Sequence, residues 1–221
     1  MQVIGIDGWK KNWIGIVLDA SGFSKAELFT SLDSVIANTQ YEVITIDVPI
    51  GLPDTPPRIA DTIVRTQIGG RRSSVFPSPP AFCLDPSWQK YSEANQESRR
   101  RFQCGITAQT FALMNNIRSA ERVARNDNRV FEVHPEFSFF HMNNERPLGF
   151  SKKSWNGSAE RLAILRTHGI HLPERFCNDV GRVGLDDILD AACAAWTALR
   201  IHENRAIVVP TGSERIGGIW A

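Results

Sequence analysis

Val3-Ile4-Gly5-Ile6-Asp7-Gly8 and Glu42-Val43-Ile44-Thr45-Ile46-Asp47-Val48-Pro49 are the two stretches whose reading decides the fold. The first is an apolar run ending in a carboxylate and a glycine, and Asn12–Asp19 returns from it as a second β-rich run, so the two form a hairpin. The second is a β-branched run with its own carboxylate just before a proline. Carboxylates are costly near a core unless they are paired or bind a cation. Two of them at the ends of the two best strands call for a common explanation.

Working outward, Lys25–Thr30 alternates as a third strand, and Ser31 caps a short helix carrying Leu32, Val35 and Ile36 on one side. The strand through Asp47 is then expected to insert parallel beside the first, bringing Asp7 and Asp47 side by side. From 49 to about 105 the pattern breaks down. Proline at Pro49, Pro53, Pro56, Pro57, Pro77, Pro79, Pro80 and Pro86 excludes long helices and central strands, while Phe76, Phe82, Trp88, Tyr91 and Phe102 argue for order. This span reads as an ordered, Pro/Arg-rich functional insertion. Within it, Gly69-Gly70-Arg71-Arg72-Ser73-Ser74 offers amides, guanidinium forks and hydroxyls suited to a phosphate, with a solvated turn as the plainer alternative.

A helix from about Thr107 places Phe111, Met114, Ile117 and Val123 on a core face and ends at Asn126-Asp127-Asn128. Val130–Glu136 reads as a short strand carrying Glu132 and His134. A polar loop containing Lys152, Lys153 and Trp155 follows, then a helix from Ser158 to near Gly169. In the last long helix Asp187 and Asp190 stand three apart on one face, which Ala191 and Ala194 extend. Alanines allow close approach to a sheet, and acids offered toward it complete a cation site begun by strand carboxylates. Capping of the helix would explain only one of its three acids. Ala206–Val209 reads as an edge strand and Gly212–Trp220 as a tail without a role.

The expected fold class is therefore α/β, a mixed five-stranded sheet flanked by helices, in one domain spanning 1–221. With 42% hydrophobic and 22% charged residues the chain is of ordinary globular composition. Its net charge of +1 is unevenly spread: twelve Arg or Lys stand against six Asp or Glu between Arg58 and Arg129, and the flanks are acidic. That asymmetry suits an anionic partner near an acidic centre, as it also suits a solvated helix face. The four cysteines show no CxxC pair. No signal core or membrane-length apolar run is present, so a cytoplasmic protein without membrane contact is expected.

The order of elements and acids resembles the ribonuclease H-like fold, in which acids on the first strand, the fourth strand and the C-terminal helix bind divalent metal for phosphodiester hydrolysis. More closely, Gly5-Ile6-Asp7-Gly8, Ile46–Leu52, Arg71–Pro77, Glu132-Val133-His134-Pro135-Glu136 and Asp186–Ala191, in that order, resemble the family known as domain of unknown function 429, described as predicted RNase H-like nucleases. The resemblance implies a phosphodiesterase acting on nucleic acid or a phosphorylated small molecule. Asp7, Asp47 and Asp187 would be the core ligands of Mg²⁺ or Mn²⁺, with Asp190 or Glu132 as the further catalytic acid that completes a second site, as two ions roughly 4 Å apart. Arg71 and Arg72, with Ser73 and Ser74, would hold the phosphate; His134 would stand at the phosphate and assist proton transfer, with a structural histidine as the plainer alternative, and Glu136 would orient Arg71 or Arg72 or else touch metal. Two other classes fit the fold: a nucleotide-binding phosphotransferase or ATPase of the actin-like type, completed by a homodimer, and a non-catalytic binding module.

Overall fold

The computed structural model describes the backbone of residues 1–221 and every side chain except that of Asn178. Strands β1 (Gln2–Trp9), β2 (Asn12–Asp19) and β3 (Gly22–Phe29) form an antiparallel meander. Helix α1 (Leu32–Ile36), capped by the Ser31 hydroxyl, leads to β4 (Tyr41–Ile46), which lies parallel to β1. Strand β5 (Val130–Glu132) adds parallel to β4, so the five-stranded sheet runs β3-β2-β1-β4-β5.

Strand alternation sorts the side chains into two layers. Val3, Ile14, Ile16 and Val43 face helix α8 (Leu185–His202), while Ile4, Ile6, Ile44 and Ile46 face the opposite layer, with Ile117, Ala120 and Val123 of the helix spanning Met114–Asn126. By the same two-residue period Gly5, Asp7, Thr45 and Asp47 belong to the α8 face. Thr45 Oγ1 donates to the carbonyl of Ala194 at 2.8 Å, and a Cβ added to Gly5 would lie 2.0 Å from the Ala195 nitrogen. Glycine on the strand and alanine on the helix thus let α8 settle onto the sheet almost backbone to backbone.

Five sequence expectations are corrected. The 49–105 span holds two helices, α2 (Ile59–Gln67) and α3 (Tyr91–Phe102), because every proline lies outside these two windows. The helix expected from Thr107 breaks at Leu113 into α4 (Ala108–Ala112) and α5 (Met114–Asn126). Strand β5 stops at Glu132, and Pro135, whose ring presets a helical φ, opens α6 (Pro135–Met142) in place of the expected loop. Helix α7 (Trp155–Thr167) starts at Trp155, with the Ser154 hydroxyl accepting from Gly157 N. Finally, β6 (Val208–Val209) does not itself join the five-stranded sheet but pairs with β7 (Ile219–Trp220) in a two-stranded ribbon, and Trp220 bridges to Val133, just beyond the edge strand β5. Among the described residues no helix is long and apolar enough to cross a membrane, and all four cysteines are free.

Candidate metal centre

Asp7 and Asp47 follow the last buried residues of β1 and β4, and the Asp47 amide donates to Ile6 O at 3.0 Å, which continues the parallel pairing to the two acids. Asp190 projects from the first half of α8, directly before Ala191 and one turn before Ala194 and Ala195, the alanines that meet Gly5. The three carboxylates bring ligand oxygens within 4.8 Å of one another. Oxygens coordinating one small divalent cation stand at about this separation or less, and the donor set is entirely hard oxygen. These residues therefore fit Mg²⁺ or Mn²⁺.

The electrostatics point the same way. Burial, then Asp190, pushes Asp47 up to about 8. Burial followed by Asp47 and Asp190 raises Asp7 well above the usual carboxylate range, and burial raises Asp190 against the opposing pull of Lys152. Lys152 forms an ion pair with Asp190, whose side chain is only 2% exposed. This lysine is a site residue that sequence reasoning leaves in a loop without a role. Nothing local marks it, because its position depends on how 149–154 packs against α7.

A cavity of about 590 Å³ opens beside the trio. Lys10, Lys152 and Lys153 bring positive charge to its lining, and Phe76 and Leu113, both partly exposed, bring apolar surface. Ser74 and His134 also line it; His134 Nε2 lies 3.4 Å from Ser74 O, its Nδ1 is buried without a partner, and burial lowers its pKa. Asp187 lines the cavity but stands outside the trio; burial, then Asp186, pushes it up to about 6.

Other expected residues go elsewhere. Glu132 is buried in a bidentate pair with Arg58, 2.7 Å on each arm, and accepts from Ile50 N at 2.6 Å. It ties β5 to the chain after β4. Arg71 donates to Leu148 O at 3.1 Å, and Arg72 borders a separate depression with Arg65; neither lines the cavity. Ser73 is exposed. Glu136 does line the cavity, with one carboxylate oxygen paired to the fully buried Arg161, not to Arg71 or Arg72, and the other without a partner.

An α/β fold that gathers three carboxylates, Asp190 buried and Asp7 and Asp47 half-buried, from two adjacent parallel strands and one helix, with Lys152 paired to Asp190, defines the class of site. The chain belongs to the family described as protein of unknown function (DUF429), whose family model matches residues 5–215. Comparison with curated proteins and with solved structures returned no match.

Proposed function

We propose that this chain is a ribonuclease H-like, divalent-metal-dependent phosphodiesterase. The observation that carries the reading is the convergence of Asp7, Asp47 and Asp190 within 4.8 Å. The β3-β2-β1-β4-β5 order with antiparallel β2, and the helix laid over β1 and β4, support the fold assignment. Asp7, Asp47 and Asp190 would hold Mg²⁺ or Mn²⁺. Such a cation supplies Lewis acidity toward a phosphoryl oxygen and makes water acidic enough to attack at neutral pH.

The chain's own groups do the rest. Lys10 and Lys153 on the cavity wall draw in the anionic ester, and the apolar surface of Phe76 and Leu113 gives its organic part a place to rest. His134, kept neutral by burial, lines the cavity beside the trio. The bound unit is a nucleic-acid segment or a phosphorylated small molecule. The test is turnover of bis(p-nitrophenyl) phosphate and of short single-stranded DNA and RNA with Mg²⁺, Mn²⁺ or chelator. Cleavage is expected with metal only, and is expected to vanish in a folded Asp7→Asn variant. Wild-type turnover in that variant, or turnover in chelator, would contradict the reading.

A further inference from the structure

Exposed apolar side chains crowd the mouth of the cavity. Among the described residues nine large apolar side chains stand exposed, and five of them line the cavity or lie within two residues of one that does: Phe76, Leu113, Phe150, Trp155 and Leu185. Scattered exposure needs no explanation, but apolar surface gathered at one opening marks a place where something binds. Trp155, on the first turn of α7, is the extreme at 86% exposed. Two residues of chain span at most about 7 Å, so its Cα lies that close to the Cα of Lys153 on the cavity lining.

Looseness does not put these rings outside. Gly149 N and Phe150 N donate to Glu160 at 3.0 and 3.3 Å, and Arg161 donates to Phe150 O at 3.3 Å. The Ser158 hydroxyl donates to Lys152 O at 3.2 Å, Ser154 caps α7, and a Cβ on Gly157 would lie 1.9 Å from Ser151 O. The backbone of 149–155 is thus fixed against α7, and it holds Phe150 and Trp155 out into solvent.

Charge decides what covers them. Phe150-Ser151-Lys152-Lys153-Ser154-Trp155 sets rings on either side of two cations, and Lys10 stands on the same lining. Lys152 is bound to Asp190, but Lys10 and Lys153 are exposed and, among the described residues, have no ion-pair partner. Lysine is depleted where proteins dock on proteins, whereas rings beside free lysines suit a ligand that alternates flat apolar faces with phosphates. Stacking also needs open base faces, which a duplex hides within itself.

Resting on the phosphodiesterase reading, we propose that the 149–155 segment is a binding site for single-stranded nucleic acid. Unpaired bases stack on Trp155 and Phe150, and Lys153 pairs with the phosphate next to the one at the metal centre. The substrate is then a single strand, not a duplex or a small phosphoester.

Fluorescence anisotropy with short labelled single strands of DNA and RNA, and with the DNA strand in a duplex, tests this, with Ca²⁺ in place of Mg²⁺ to slow cleavage. The wild type is expected to bind a single strand about tenfold or more tighter than the duplex. Trp155→Ala is expected to weaken that binding about 5- to 150-fold, the range set by one stacked base, while Trp155→Phe keeps most of it. Lys153→Gln is expected to lower the slope of log Kd against log salt by about 0.7. Because Trp155 is exposed, Trp155→Ala is expected to melt as the wild type does, so lost binding is not lost folding. Equal affinity for single strand and duplex, unaltered single-strand binding by Trp155→Ala, or no strand binding at all would overturn the inference. So would a wild type that self-associates in sedimentation and a Trp155→Ala that does not, which would assign the rings to a second copy of the chain. Metal-dependent turnover of bis(p-nitrophenyl) phosphate by the wild type, alongside any of these, leaves the phosphodiesterase reading standing. Its absence together with absent strand binding would overturn both.

Discussion

Asp47 shows at the scale of one residue what the site requires. Its folded pKa, pushed up to about 8 from an ordinary 3.8, means that the folded chain holds a proton which the unfolded chain gives up. The stability this contributes is full below about pH 4 and is lost as pH rises through about 8. In chelator the melting temperature is therefore expected to fall between pH 5 and 8, and Asp47→Asn to flatten that slope; a wild-type profile already flat would contradict it. Metal must displace the same proton, so apparent Mn²⁺ affinity is expected to rise over this range, with proton release visible by calorimetry in buffers of different ionisation enthalpy. Arg161 offers a separate test. It is fully buried against Glu136, so Glu136→Gln strands a buried cation and is expected to cost about 3–5 kcal/mol in urea unfolding. A loss below about 1 kcal/mol would show that Arg161 finds other acceptors.

Among the elements, β1 and α8 are the pair on which the centre depends. Gly5→Ala would drive a methyl into the Ala195 and Ala191 backbone, at 2.0 and 2.3 Å, and neither can yield without lifting α8 off the sheet. The expected loss is about 3 kcal/mol or more, with weakened metal binding because Asp190 moves with the helix. Gly70→Ala, where an added Cβ meets nothing within 4 Å, is the control and is expected to change melting little. These two elements were legible in the sequence because strand alternation and helical spacing act on them openly: Val3-Gly5-Asp7 and Asp187-Asp190-Ala191-Ala194 each declare a face. Helix α6 was not, since Phe137, Phe139, Phe140 and Met142 are all buried and leave no polar stripe to mark a period. The prolines that suggested an irregular 49–105 span only bracket its two helices.

At the scale of the whole molecule, the C-terminal segment closes the structure around the chain that follows β4. Gly217 N donates to Ile50 O at 3.2 Å, Ala221 exchanges hydrogen bonds with Ile207 at 2.8 and 3.1 Å, and Ile219 and Ala221 are buried. Removing 216–221 exposes the partners of Ile219 and frees the 50–58 turn, so a loss of at least about 2 kcal/mol is expected in denaturant unfolding. Unchanged stability would mean that the ribbon is ornamental. Legibility also ends at this scale. Asp7 and Asp47 could be named because their neighbours in sequence fix their faces, whereas the place of Asp190 rather than Asp187 beside them, Lys152 and the diversion of Glu132 to Arg58 depend on packing between segments far apart in the chain. Arg71 and Arg72 were misleading for the same reason: their motif offers phosphate chemistry, but the fold turns both away from the cavity.

The central claim is that the aspartate trio binds a divalent cation, and melting in chelator, Mg²⁺ and Mn²⁺ for wild type and Asp47→Asn tests it most directly. A cation at about a hundred times its dissociation constant adds about 2.7 kcal/mol, which for a chain of this size is a rise of roughly 5–10 °C. The account predicts that rise in the wild type and none in Asp47→Asn, whose melting in chelator at pH 8 should equal or exceed that of the wild type because a buried charge has been removed. Equal metal stabilisation of both proteins, or none in the wild type, would contradict it.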